Sequence, residues 1–290
     1  ELAARSTMAF EHARASVAAL VGADAREGQE EIVVTAGATA GLNLLATAFG
    51  NASLGRGGEE ARRFSLKPGD GIVVSQAEHH SVLLPFQELA ARTGASLSWF
   101  SLTPDGRIRT DMADEVITER TKIVAIAHVA NTTGAVTDIA PVVRRAHEVG
   151  AIVVLDACQS VPHLPVDFHT MGVDFAVWSA HKMYGPTGVG FLYGRRELLE
   201  ALPPASFGGS MVELAWMDKP AQYMEPPARF EAGTQPVAQV VAAGVAADWM
   251  RSVGMDEIAR HERSITHELL KLADVDGIRI LGPRDEDHRI

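Results

Sequence analysis

Short, mostly apolar runs recur along the chain, and most end in a small polar cluster. The runs fall at residues 31–35, 71–75, 96–101, 122–129, 152–155, 173–178 and 189–193. Between them the apolar positions take on helical spacing, which predicts helices over 6–21, 40–49, 82–92, 110–118, 139–149, 195–202, 237–252 and 255–272. In the first helix Met8, Phe10, Ala13, Val17, Leu20 and Val21 can share one broad face, with Ser6 or Thr7 as N-cap. Pro141 falls in a first helical turn, where a missing N–H costs nothing. The glycine-, serine- and arginine-rich residues 50–69 read as a surface loop, and 203–228 as irregular. Residues 278–281 read as a strand opening a new unit.

Most of the strands lack the period-two alternation of a half-buried sheet. Continuous apolar strands alternating with helices predict an α/β fold: a mainly parallel, seven-stranded sheet between helices. Residues 1–252 form its large domain, and 253–290 a linking helix and the start of a second unit. In such sheets ligands bind beyond the carboxyl ends of the strands. The polar residues that follow the apolar runs are Thr39, His79, Asn131, Asp156, Gln159, Ser179, His181 and Lys182. They come from separate parts of the chain and fall at equivalent places in the architecture, so the topology predicts one shared site.

Residue by residue, blander readings compete. Lys182 alone reads equally as a strand cap reaching into solvent or as a shielded amine able to form a Schiff base with an aldehyde. Asp156 reads equally as a helix cap, and the small-residue turn before Thr39 as an ordinary strand-to-helix connection. His128 and His163 read as structural or as supports behind the site. Together, however, the residues meet the demands of pyridoxal phosphate. Lys182 supplies the amine, Asp156 a carboxylate for the pyridine nitrogen, and His79 a ring to stack. Gln159 and Asn131 can donate near the phenolic oxygen. Thr39, Ser179 and His181 can hold the phosphate at a helix start.

Composition narrows the alternatives. A hydrophobic fraction of 47% is too high for a disordered chain, and a net charge of -11 argues against nucleic-acid binding. No apolar run is long enough to span a bilayer. The lone cysteine, Cys158, excludes an internal disulfide. No nucleotide-binding glycine pattern is present. A cytoplasmic setting is expected.

The segment SAHKMYGPTGVGFLYG (179–194) resembles the lysine segment of fold-type I, class V pyridoxal phosphate enzymes. LDACQSVPH (155–163) is similar to their aspartate segment. AEHHSVLLPFQ, HVANTTGAV, GGSM and RFEAGT resemble segments of the Suf-type cysteine desulfurases and the related selenocysteine lyases. The resemblance implies a homodimer acting on L-cysteine, with a sulfur-acceptor protein as partner. Lys182 and His79 would be catalytic, and Thr234 would reach the phosphate held by the second subunit. The phosphate turn reads Ala38-Thr39 where the family often has two threonines. By this resemblance the chain is expected to be truncated at both ends. The sulfur-accepting cysteine and the substrate-binding arginine would fall in a small α+β domain beginning near residue 278. Cys158 does not match the nucleophile's motif.

Overall fold

The computed structural model describes residues 1–290. Seven strands form one sheet: β1 (Ile32–Thr35), β2 (Gly71–Ser75), β3 (Ser96–Phe100), β4 (Thr121–Ala127), β5 (Ile152–Asp156), β6 (Phe175–Ser179) and β7 (Gly190–Gly194). Their order across the sheet is β1-β7-β6-β5-β4-β2-β3. Pairings among β3, β2, β4, β5 and β6 are parallel, while β7 is antiparallel to both β6 and β1. Only β7 therefore runs backwards. The other six strands leave the sheet at the same edge, as expected for a ligand site.

Burial explains the strand composition. Strands β1, β2, β5, β6 and β7 are buried at every residue. That requires cover on both faces, which apolar, β-branched sequence satisfies. Strand β3 lies at the sheet's edge and is exposed at most positions. Helix α2 (Ala38–Ser53) packs on β6 and β7, α3 (His80–Thr93) on β2 to β4, and α5 (Ala140–Glu148) on β4 and β5. Short helices α4 (Ala113–Val116), α6 (Phe168–Met171) and α7 (Arg196–Ala201) fill the connections. The long α1 (Leu2–Leu20) lies against α8 (Val237–Val253), and α9 (Met255–Leu270) follows at a break held by Gly254. One apolar core cluster runs from Phe10 to Ile258.

Several expectations change. Helix α1 starts a turn early, so Ser6 and Thr7 bond back to Leu2 and Ala3 carbonyls instead of capping. Met8 is exposed, whereas Phe10, Ala13, Val17, Leu20 and Val21 are buried. The segment 50–69 is no open loop. Helix α2 runs into it, a 3-10 turn spans Glu60–Phe64, and Phe64 is buried on Phe49 with ring centroids 5.5 Å apart. Residues 203–228 contain a two-stranded hairpin, β8 (Val212–Leu214) and β9 (Gln222–Tyr223). Residues 278–281 form no strand. The chain instead returns to the large sheet's loops, with Ile290 N donating to Gly134 O and Val136 N to His288 O.

A buried ion pair closes the β1 side. Arg14 of α1 donates to both carboxylate oxygens of Glu231, at 2.6 and 3.0 Å, and to Ile32 O at 2.7 Å. Glu231 Oε1 also accepts from Val34 N. Both side chains are almost sealed from solvent, so neither charge can be left alone. Replacing Arg14 by Met should cost about 3–5 kcal/mol in urea unfolding. Adding Glu231→Gln, which removes the orphaned charge, should recover much of that loss.

Candidate active site

At the shared edge lies a cleft of about 180 Å³. Its walls include Thr39, His79, Asn131, Asp156, Gln159, Ser179, His181 and Lys182. All the polar strand-end residues named from the sequence are thus brought together. Thr234 is not among them. It is exposed and lines a separate cavity with Thr35, Gly188 and Glu231.

Each position has a local cause. Strand β6 ends at buried Ser179, and a 3-10 turn, Ala180–Lys182, follows. Ala180 O accepts from both Met183 N and Gly185 N, at 2.9 Å each, which folds the turn back on itself. Lys182 stands half-buried on it. Tyr184 takes a left-handed φ of 62° and sets its ring edge-on to Trp249 of α8, 5.0 Å away. Beside this turn, β1 ends and α2 begins. Ser179 Oγ accepts from Ala38 N at 2.9 Å and so caps the new helix. The close approach depends on glycine twice. Gly37 holds φ at 136°, and a Cβ on Gly190 would lie 2.5 Å from Gly37 Cα. The amides of Thr39 and Ala40 lie in the helix's first turn, have no intrahelical acceptor, and suit an anion.

Asp156 is buried at the end of β5, with Oδ1 accepting from Cys158 N at 3.0 Å. Asp156 therefore holds a tight turn and caps no helix, because the residues after it do not start an α-helix. Cys158 is buried in the same wall, and burial, reinforced by the charge of Asp156, pushes its thiol pKa well up. His79 is the N-cap of α3: its Nδ1 accepts from Ser81 N at 3.1 Å, which leaves the proton of a neutral ring on Nε2. Ser81 also lines the cleft, and its hydroxyl shares a 2.6 Å hydrogen bond with that of Thr39.

His163 pairs with Glu262, as befits a structural residue. His128 is held neutral, its pKa pushed down to about 4 by burial. Glu78 is the residue sequence reading missed. Beside two histidines it looks like one more surface charge, yet its carboxyl turns inward, with Oε1 accepting from Ser75 Oγ and, at 3.1 Å, from Ala127 N.

Over residues 1–290 the sequence matches the family described as Aminotransferase class-V, and the chain belongs to that family. It is 45% identical to the probable cysteine desulfurase 2 of Mycobacterium leprae over 293 aligned positions, covering 100% of this chain and 66% of that protein. It is 43% identical to the probable cysteine desulfurase of Streptomyces coelicolor, covering 99% of this chain and 66% of that one. The chain thus spans just under two thirds of these curated relatives. Among solved structures, the cysteine desulfurase CsdA (S-sulfonic acid) from Escherichia coli superposes with a TM-score of 0.86 at 34% identity, covering 98% of this chain and 68% of that chain. The apo cysteine desulfurase from Thermococcus onnurineus gives 0.88 at 31% identity, with coverage of 100% and 68%. The seven-stranded sheet is therefore that of the pyridoxal phosphate fold-type I enzymes.

The Ser179 cap is the joint between the lysine turn and the helix start. Ser179→Ala leaves the buried Ala38 amide without a partner and should lower stability by about 1–2 kcal/mol in urea melts.

Proposed function

We propose that the chain is a pyridoxal phosphate-dependent cysteine desulfurase. As part of the whole enzyme it converts L-cysteine to L-alanine, the sulfur passing as a persulfide to the thiolate of a cysteine other than Cys158 and from there to an acceptor protein, for iron–sulfur cluster assembly. It works as a cytoplasmic homodimer. The observation that carries this reading is the meeting of Lys182, Asp156, His79 and the start of α2 in one cleft. The relatives named cysteine desulfurase support the substrate.

The donor set fits the cofactor. A phosphorylated pyridine aldehyde asks for an amine, a carboxylate, a flat ring and a nest of N–H and O–H donors, and the cleft holds one of each kind. Gly37 and Gly190 let the helix start close up on β7 and Ser179, which brings together the donors that would hold the phosphate. When bound, the cofactor supplies an electrophilic aldehyde and an electron-accepting ring.

The chain's own groups then have distinct tasks. Lys182 Nζ is the nucleophile and moves the substrate's Cα proton. Asp156 is fixed through Oδ1, leaving Oδ2 to hold the proton of the pyridine nitrogen. The ring of His79 would cover one face of the cofactor, and only its Nε2 is free to exchange a proton. Ser179 Oγ already accepts one bond, so its own O–H is available to the phosphate, beside His181, Thr39 and the first-turn amides of α2. Gln159 and Asn131 serve the phenolic oxygen and the mouth of the site. Thr234, exposed and outside this cleft, serves the phosphate of a second copy. The buried thiol of Cys158 lies beside the Asp156 charge and stays protonated, so it is not the sulfur acceptor.

Borohydride reduction of the chain loaded with pyridoxal phosphate, followed by peptide mapping, is expected to leave the label on Lys182. The label should be lost in Lys182→Ala. Labelling elsewhere would reject the cofactor site. A labelled Lys182, with no alanine released from L-cysteine by the full-length protein, would reject only the desulfurase assignment.

A further inference from the structure

We propose that Glu78 is a positioning residue that works as an uncharged carboxylic acid: it stands in for a missing strand at the end of β4, fixes the turn that presents His79, and leaves Asp156 as the only carboxylate of the cleft. The inference rests on the cofactor reading above for its functional part, and on geometry alone for its structural part.

The register gives the first argument. Strands β2 and β4 pair from Gly71–Thr121 to Val73–Val124, and β2 ends at Ser75 while β4 runs on to Ala127. Alternate amides of a sheet strand face opposite neighbours. His128 N bonds to Asp156 O on β5, so the Ala127 N–H faces the β2 side, beyond the end of β2. An unpaired amide there would be costly. Glu78 Oε1 takes it, and also accepts from Ser75 Oγ, whose oxygen in turn accepts from Ala77 N. The chain between β2 and α3 is thereby pinned to the sheet at the residue immediately before His79.

Charge gives the second argument. Glu78 retains some exposed surface as a residue, but its Oε2 has none and finds no hydrogen-bond partner. No arginine or lysine is paired with this carboxyl, and His128, the residue after Ala127, is held neutral by burial. The charge that reaches Glu78 from β5 is Asp156, of the same sign. His79 on its own turn, with Cys158, His181 and Lys182 across the cleft, completes the titratable groups of the site. A carboxylate oxygen shut off from solvent, with no cation beside it, is expensive, and a second anion beside Asp156 adds to that expense. Burial raises the pKa of Glu78 to about 8, the bonds from Ser75 and Ala127 opposing and Asp156 reinforcing the rise.

Neutrality and positioning can be separated by two variants of the full chain. Carboxyl carbon-13 NMR of glutamate-labelled protein, with the resonance assigned by its loss in Glu78→Gln, should show Glu78 titrating near pH 8. A midpoint in the ordinary glutamate range would overturn the proposal. Glu78→Gln keeps shape and neutrality. It should keep cofactor affinity at pH 7 within about twofold and should lack the weakening expected of wild type above pH 8, where an ionised Glu78 would set a second anion beside Asp156. Glu78→Ala should speed hydrogen exchange at the Ala127 amide and weaken cofactor binding about tenfold. If the Gln variant loses affinity as the Ala variant does, or if its pH profile matches wild type, Glu78 does not act as a neutral acid. Should Glu78→Ala not fold, the NMR titration and the Gln profile still decide. Failure of wild type to bind pyridoxal phosphate would instead reject the cofactor reading, and the carboxyl titration and Ala127 exchange would then decide the structural role of Glu78.

Discussion

A strand covered on both faces can carry a polar side chain only where it emerges. That constraint organises this molecule. Strands β1, β2, β5 and β6 are buried along their whole length, and their polar residues are confined to the turns beyond or to the last position. Because these strands point the same way, the turns share one rim. Asp156 and Ser179 are the last residues of their strands, and Lys182 and His79 follow within a short turn. The chemistry is concentrated because burial excludes it from anywhere else in the sheet.

The same constraint made the site legible in sequence. An apolar run that stops at a lysine, an aspartate or a serine marks both the strand and the rim, so the strand ends and the rim residues could be read together. Phe64 was hidden because a single aromatic in a stretch of glycine and charge leaves no periodicity, yet it is enough to seat that stretch on Phe49. The β8–β9 hairpin was hidden because its strands are only three and two residues long. Residues 278–281 are apolar enough for a strand but find no neighbouring strand to pair with.

Met8 and Glu78 show opposite errors. Met8 has the right spacing for the buried face of α1 but lies on the chain's surface. Helical spacing defines a stripe, and what covers the stripe is a tertiary matter. Glu78 has the composition of a surface residue, and only the early end of β2 turns it inward, where it meets the amide of Ala127. Such a residue cannot be found by motif, because its role depends on which of two neighbouring strands stops first.

The reversed direction of β7 also bears on how the cleft is assembled. Strands β6 and β7 are joined through the Lys182 turn, so this half of the site closes a short loop and forms from local contacts. Strand β1, which leads into α2, pairs with β7 across just over half of the chain's length. That pairing must overcome a much larger loop-closure entropy. The amine half and the anion-binding half of the cleft thus belong to different orders of folding contact, and the Ser179–Ala38 hydrogen bond is the seam where they join.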